Sequence, residues 1–352
     1  MDTLTHALSG ALIARATAPR TPRPDTLPLG RRMVVGFLAT AFPDSDVLTS
    51  YLSPLSYLYH HRGITHSFLM LPLWAVLLAA IFAVLWRKGP SWRAYVGVTA
   101  CGLATHIAGD LITSFGTMVF APVSDARYAL GSTFIIDLWF TGIIVAGLLA
   151  CAFWRSSRVP AIAGMAVLVS YVAFQTLLRE QAIDFGEAYA RSRGSDEVTV
   201  TAQPRPVSPF NWTVILQDRD GYRFAHVNLI RKTVPGEPGP DAGFIERLDA
   251  AYRPLSQALW LHAPRYGPAA DDIAIAREAY EQPGFRFFRW FAMYPAAVGV
   301  ENGSVEVCAW FHDLRFVTPG RTATPFRYGM CRRAGGVWQP FQMVDGKRRA
   351  VY

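Results

Sequence analysis

Charge is scarce in this 352-residue chain, where Asp, Glu, Lys and Arg together make up 17% of the residues. With a mean hydropathy of +0.20, that scarcity argues against an ordinary soluble protein and for a membrane class. No Gly-rich phosphate loop and no Gly-x-Ser-x-Gly elbow occurs. Nucleotide-driven transport and serine catalysis are thereby disfavoured. The first nine residues hold no basic cluster, and Asp2 stands where a secretory leader carries positive charge. Apolar spans, rather than a cleaved leader, are expected to target the chain.

What is present is a set of long apolar runs, all before residue 180. Leu69 to Trp86 is uncharged over 18 residues, Phe134 to Trp154 holds a single acid, Asp137, and Val159 to Leu178 holds none. Each is long enough for a hydrocarbon core of roughly 30 Å. Ala94 to Thr113 is a weaker run, interrupted by His106 and Asp110, while Met33 to Phe42 and Leu4 to Ala16 are short. The expected fold is an α-helical polytopic membrane bundle of about five membrane-embedded helices over residues 1–180, followed by a small α+β extracytoplasmic domain over residues 181–352.

Basic residues cluster at Arg15, Arg20, Arg23, Arg31 and Arg32, at Arg87, Lys88 and Arg93, and at Arg155 and Arg158. By the positive-inside rule these turns are cytoplasmic. Alternating the spans then puts Asp44, His61, His66, His106, Asp110 and Asp137 at the outer ends, and sends residues after Leu178 outside. The expected location is the cytoplasmic (inner) membrane, with the lipid bilayer as partner. The net charge of +8 is read as this topological bias plus a basic tail at Lys347, Arg348 and Arg349, with no nucleic-acid partner. Cys308 and Cys331 fall in the exported portion and are expected to pair, since oxidising compartments permit disulfides.

Ionisable side chains inside apolar runs cost at least ~2.5 kcal/mol each and usually face a protein interior or a wet cavity. Five of the eight histidines precede residue 110 and sit beside acids in short motifs. His106 and Asp110, four apart, share one helix face. Asp44 and Asp46 follow Pro43 at the end of an apolar segment, where a non-helical backbone can aim two carboxylates at one cation; helix capping is the bland reading for Asp46. Gly63 allows a sharp turn that lets His61 and His66 face back inward. Arg62 beside them suits bidentate capture of a phosphate or carboxylate, against a lipid-headgroup contact as its bland reading.

Mixed imidazole and carboxylate donors suit a divalent metal, zinc above all, with manganese or iron as alternatives. The expected ligands are His6, Asp44, His61, His66, His106 and Asp110. Asp46 is the expected proton acceptor and Arg62 the substrate-holding cation. Two other classes stay open: a metal or proton transporter, if the ligands spread through successive depths, and a non-catalytic membrane partner, if the cluster only staples helices.

The motifs Met1-Asp2-Thr3-Leu4-Thr5-His6, Phe42-Pro43-Asp44-Ser45-Asp46, His61-Arg62-Gly63-Ile64-Thr65-His66-Ser67 and His106-Ile107-Ala108-Gly109-Asp110 together resemble the YdjM-type membrane-bound metal-dependent hydrolase family. Phe311 to Phe316 is similar, more weakly, to the tail of its longer members. The resemblance implies a distant likeness to zinc-dependent phospholipase C and P1-type nucleases, all-helical enzymes that cleave phosphoesters. A phosphoester or lipid-linked small-molecule substrate is implied by that likeness, not by spacing. In those relatives an N-terminal amine and a His-x-x-x-Glu bind metal, whereas here His6 follows five residues and Asp110 takes the place of the acid.

In the tail, Val198 to Thr201, Trp212 to Leu216 and Arg223 to Val227 alternate as strands do, with turns at Asp220-Gly221 and Asn302-Gly303. Phe244 to Leu261 reads as an amphipathic helix. Arg286 to Met293, Ser304 to Phe311 and Arg327 to Cys331 read as further strands. His226, His262 and His312 lie among aromatic residues and are expected to be structural.

Overall fold

The computed structural model describes residues 1–21, 25–87, 89–195, 197–267, 269–321 and 323–351. Arg23 and Lys88, counted above among the basic turns, lie outside the described residues. The chain divides into two compact units, Met1–Leu52 with His60–Thr176, and Ser53–Tyr59 with Leu177–Tyr352.

Seven helices run through the first half: α1 (Thr3–Ala16), α2 (Leu29–Ala41), α3 (Pro54–His60), α4 (Leu71–Leu85), α5 (Arg93–Leu111), α6 (Leu138–Phe153) and α7 (Val159–Ser192). Tight 3-10 turns at Phe42–Tyr51 and Ile64–His66 lie between them. Helix starts follow capping chemistry. Asp2 accepts the Thr5 amide at the head of α1, and Asp137 accepts the amides of Trp139 and Phe140 at the head of α6. Asp137 is also held by Tyr171 Oη and Gln175 Nε2, at 2.9 and 2.7 Å, so its carboxylate is consumed by structure.

The expectation of about five membrane-embedded helices is not met. Among the described residues only α7 is long and apolar enough to cross a bilayer. The 14 to 16 residues of α1, α4 and α6 rise only about 21–24 Å, short of the ~30 Å core. The segment before α4 joins it only through an 82° bend, as a broken span or re-entrant loop would. Apolar run length overcounted because flanking residues such as Leu69, Phe134 and Trp154 lie outside the helices. The inside and outside assigned by alternating five spans falls with that count.

Close backbone contact brings α1 and α2 together. A Cβ on Gly10 would stand 2.3 Å from the Gly36 carbonyl oxygen, and one on Gly36 would stand 2.4 Å from that of Gly10. Backbone cannot yield as a side-chain tip can. Gly10→Val is expected to destabilise this unit by about 1–3 kcal/mol or more, read as a lowered thermal midpoint in detergent; an unchanged midpoint would reject the contact. The core here is Val35, Ala39, Ala75, Leu78, Phe82, Tyr95 and Leu103.

The second unit is a two-sheet β structure rather than a small α+β domain. One sheet holds β1 (Thr199–Pro204), β2 (Asn211–Gln217), β3 (Gly221–Asn228), β4 (Arg253–Pro254) and β5 (Trp260–Pro264); β1, β2 and β3 run in order, and β3 pairs with both β4 and β5. The other is an antiparallel meander of β6 (Pro295–Asn302), β7 (Glu306–Asp313), β8 (Tyr328–Arg333), β9 (Gln339–Val344) and β10 (Lys347–Ala350). Helices are short accessories: α8 (Phe244–Asp249), α9 (Ala270–Glu281) and α10 (Arg286–Phe291). The helix read over Phe244 to Leu261 stops at Asp249, because the residues beyond it are recruited to β3 as β4 and β5. Arg286 to Met293 is mostly helix, not strand; Phe287, Phe288 and Phe291 are all buried there, a spacing that suits a helix face.

Cys308 and Cys331 face each other across β7 and β8 and form a disulfide. The Asp313 carboxylate in the Phe311–Phe316 stretch is a structural clasp. It accepts the Arg315 amide at 2.9 Å, Arg315 Nε at 2.8 Å and the Met293 amide at 2.7 Å.

Candidate metal centre

The first unit converges on a buried cluster of histidines and acids from four separate stretches. The 3-10 turn after α2 contributes Asp44 and Asp46, the stretch from His61 to His66 contributes His61, Arg62 and His66, and the C-terminal half of α5 contributes His106 and Asp110. His6 arrives from α1, its ring stacked on His106 with centroids 3.8 Å apart. Ligand atoms of Asp44, His66, His106 and Asp110 all lie within 4.8 Å of one another.

The spacing suits a cation. His66 Nε2 lies 2.9 Å from His106 Nε2, 3.2 Å from Asp110 Oδ2 and 3.8 Å from Asp44 Oδ1, and His106 Nε2 lies 3.5 and 3.6 Å from the same two oxygens. Donors placed about 2.1 Å from a tetrahedral zinc ion stand about 3.4 Å apart, the middle of that range.

Proton bookkeeping points the same way. His106 Nδ1 lies 2.6 Å from the Thr40 carbonyl oxygen, which only accepts, so the ring donates there and turns the Nε2 lone pair inward. His66 Nδ1 lies 3.3 Å from Asp46 Oδ2 and 3.0 Å from Thr65 Oγ1, which fixes the same tautomer. Asp44 Oδ2 and Asp110 Oδ2 are buried without a hydrogen-bond partner. Imidazole lone pairs and carboxylate oxygens packed this tightly repel unless a proton or a cation stands among them. The residues present therefore fit a divalent metal.

Of the expected ligands, four form this set and two stand beside it. His6 Nε2 touches Asp110 Oδ1 at 3.1 Å, on the carboxylate's other oxygen. His61 Nδ1 touches Asp46 Oδ1 at 2.8 Å. Asp46 itself is spent holding this stretch, since its Oδ2 also accepts the Arg62 amide at 2.9 Å.

Arg62 is 1% exposed, which excludes a lipid-headgroup contact. Its guanidinium reaches Asp110 Oδ1 at 2.9 Å and Thr113 Oγ1 at 2.9 Å, over the Phe115 ring. Its φ of 59° puts the left-handed turn on Arg62 rather than on Gly63. Burial alone would raise the Asp110 carboxyl, but the Arg62 charge, the Met1 amine and His6 outweigh it and hold it well below the carboxylate range. Asp44 is likewise held low, its burial outweighed by the neighbouring rings of His66, His106 and His6. Asp44 is also the most accessible of the four, its side chain 13% exposed against none for the other three.

Three partners escaped sequence reasoning: the Thr40 carbonyl, the Thr113 hydroxyl and the Met1 amine, which lies 2.5 Å from Asp110 Oδ1. A backbone carbonyl leaves no residue signature; Thr113 follows Asp110 by one helical turn and is the one that spacing could have flagged. Elsewhere, Glu306, Cys308 and Cys331 gather, but the two sulfurs are bonded to each other. His226 donates to or accepts from Thr213 Oγ1 at 2.8 Å, and burial lowers it to about 3. His312 is lowered by burial to about 4.

Comparison with known proteins places this cluster inside the matched region. An uncharacterized protein, YfhP of Bacillus subtilis (strain 168), is 26% identical over 175 residues, which is 49% of this chain and 52% of the relative. The chain thus spans about half the length of the curated relative it matches. No solved structure matches. The profile of the YdjM inner membrane protein family matches residues 1–182, which include every residue of the cluster, and the chain belongs to that family.

Proposed function

We propose that this protein is a membrane-bound metal-dependent hydrolase, acting on a phosphoester, with Asp44, His66, His106 and Asp110 as the metal ligands. The observation that carries the reading is the convergence of two inward imidazole lone pairs with two carboxylates that keep unpartnered oxygens. A divalent ion held there supplies Lewis acidity, acidifying water and polarising the bond under attack. Zinc suits the donors best.

The chain's own residues have separable tasks. Thr40, through its carbonyl, fixes the tautomer of His106; Asp46 fixes that of His66 and anchors the backbone of Arg62. Asp46 is thus a positioning residue, and its carboxylate has little capacity left to take a proton from water. Arg62 balances the charge of Asp110 from within. Water approaches past Asp44, the accessible ligand. Gathering of the ligand atoms within 4.8 Å favours one site over a relay through successive depths, and so hydrolysis over transport.

Metal analysis of the purified full chain tests this. Wild type is expected to hold about one divalent ion per chain and to hydrolyse bis(p-nitrophenyl) phosphate, while His66→Ala and Asp44→Asn lose most of both. Equal metal in all three proteins would reject the site. Retained metal without turnover of phosphomonoesters or phosphodiesters would reject the hydrolase and leave a structural metal.

A further inference from the structure

A cavity of about 260 Å³ lies beside the candidate metal site, with His6 and Met1 in its wall. Its other walls come from α5, α6 and α7, including Gly109, Phe140, Met165 and Val169. Two hydroxyls line it, and neither is free: Ser9 Oγ donates to the His6 carbonyl at 2.7 Å and Thr105 Oγ1 to the Cys101 carbonyl at 2.8 Å. His6 directs Nε2 away, to Asp110. The cavity therefore offers hydrocarbon to its occupant, with polarity confined to the end nearest Asp110.

One wall is α7, which contributes Met165, Leu168, Val169 and Val172. Val169, on its wall, is 67% exposed, on a helix long and apolar enough to cross a bilayer. At its inner end the cavity is closed by Met1 and His6, both of which touch Asp110 Oδ1 on their far side. Water has little to bind there, and an alkyl chain can enter from the membrane without crossing water.

We propose that this cavity seats the hydrocarbon tail of a lipid phosphoester, against the apolar wall of Ile112, Met165 and Leu168. The proposal deepens the hydrolase reading and rests on it for the identity of the head group. A tail arriving from bilayer hydrocarbon gains little from expulsion of water, so its preference for the cavity is expected to come from close packing against Met165, Leu168 and Ile112.

The test uses the full chain in phosphatidylcholine nanodiscs with dodecyl phosphate and butyl phosphate, each bearing a terminal diazirine. Val169→Trp and Ala108→Trp fill the mouth from positions that are exposed, so folding is not at stake. Photolabelling by the dodecyl probe is expected to concentrate on Met165, Leu168 and Ile112, and to be largely lost in both variants. Labelling spread evenly over the exposed faces of α6 and α7, or unchanged by either tryptophan, would overturn the proposal. Hydrolysis of ethyl to dodecyl p-nitrophenyl phosphates in the same samples separates the two readings. Cavity labelling without turnover upholds the tail slot and rejects the hydrolase; turnover indifferent to chain length, with diffuse labelling, does the reverse.

Discussion

Asp110→Ala is expected to be among the most damaging single substitutions in the chain, costing its unit about 3–5 kcal/mol. One oxygen of this fully buried carboxylate meets the Met1 amine, His6 and Arg62, and the other faces His66 and His106. Removing it leaves the guanidinium of Arg62 buried without its counter-charge, which is where the cost arises. Asp110→Asn keeps the shape and some acceptors, so a smaller loss is expected, with metal still absent because a neutral amide is a poor ligand. Thermal unfolding in detergent, followed by metal analysis of the soluble fraction, reads both effects. A loss below about 1 kcal/mol for Asp110→Ala would contradict the burial argument.

Arg62 is expected to show the second large effect, and lysine is not expected to rescue it. Its fork touches Asp110 Oδ1 and Thr113 Oγ1 at once, which one ammonium on a flexible stem cannot reproduce. Arg62→Ala should cost about 3–5 kcal/mol and Arg62→Lys at least half as much. Arg62→Gly should be milder than Arg62→Ala by about 1 kcal/mol, because only glycine adopts the left-handed backbone at φ 59° without strain. Combining Arg62→Met with Asp110→Asn should cost less than the sum of the single changes by at least about 1 kcal/mol. Additive losses would mean that the two charges do not depend on each other.

The candidate metal site was more legible in the sequence than the fold around it. Histidine and aspartate inside apolar surroundings are expensive, so their presence in four motifs was itself a signal. Which atoms face a cation was not legible. His61 and His66 sit in one short motif, yet the turn at Arg62 sends His66 into the ligand set and leaves His61 on Asp46. Asp44 and Asp46 are separated by one residue, yet one keeps an unpartnered oxygen while the other is consumed by second contacts.

Run length misled where composition did not. Apolar runs identified the membrane character that the family match bears out, but helix ends depend on capping and on backbone turns that hydropathy does not register. The tail repeated the lesson. Strands β1, β2, β3, β7 and β8 were visible as alternation, whereas α10 and the strands after Asp249 were decided by neighbours far along the chain.

The sequence by itself determined the apolar character of the first half, the strand-rich second half, the cysteine pair and the residue types of a candidate metal site, because each follows from local chemistry of solvation and periodicity. Only tertiary structure decided the number of membrane-length helices, the division of labour between Asp44 and Asp46, and the burial of Arg62 against Asp110. Those depend on which groups from distant segments end within a few ångströms of one another, and a single buried charge is tolerable only when such a partner arrives.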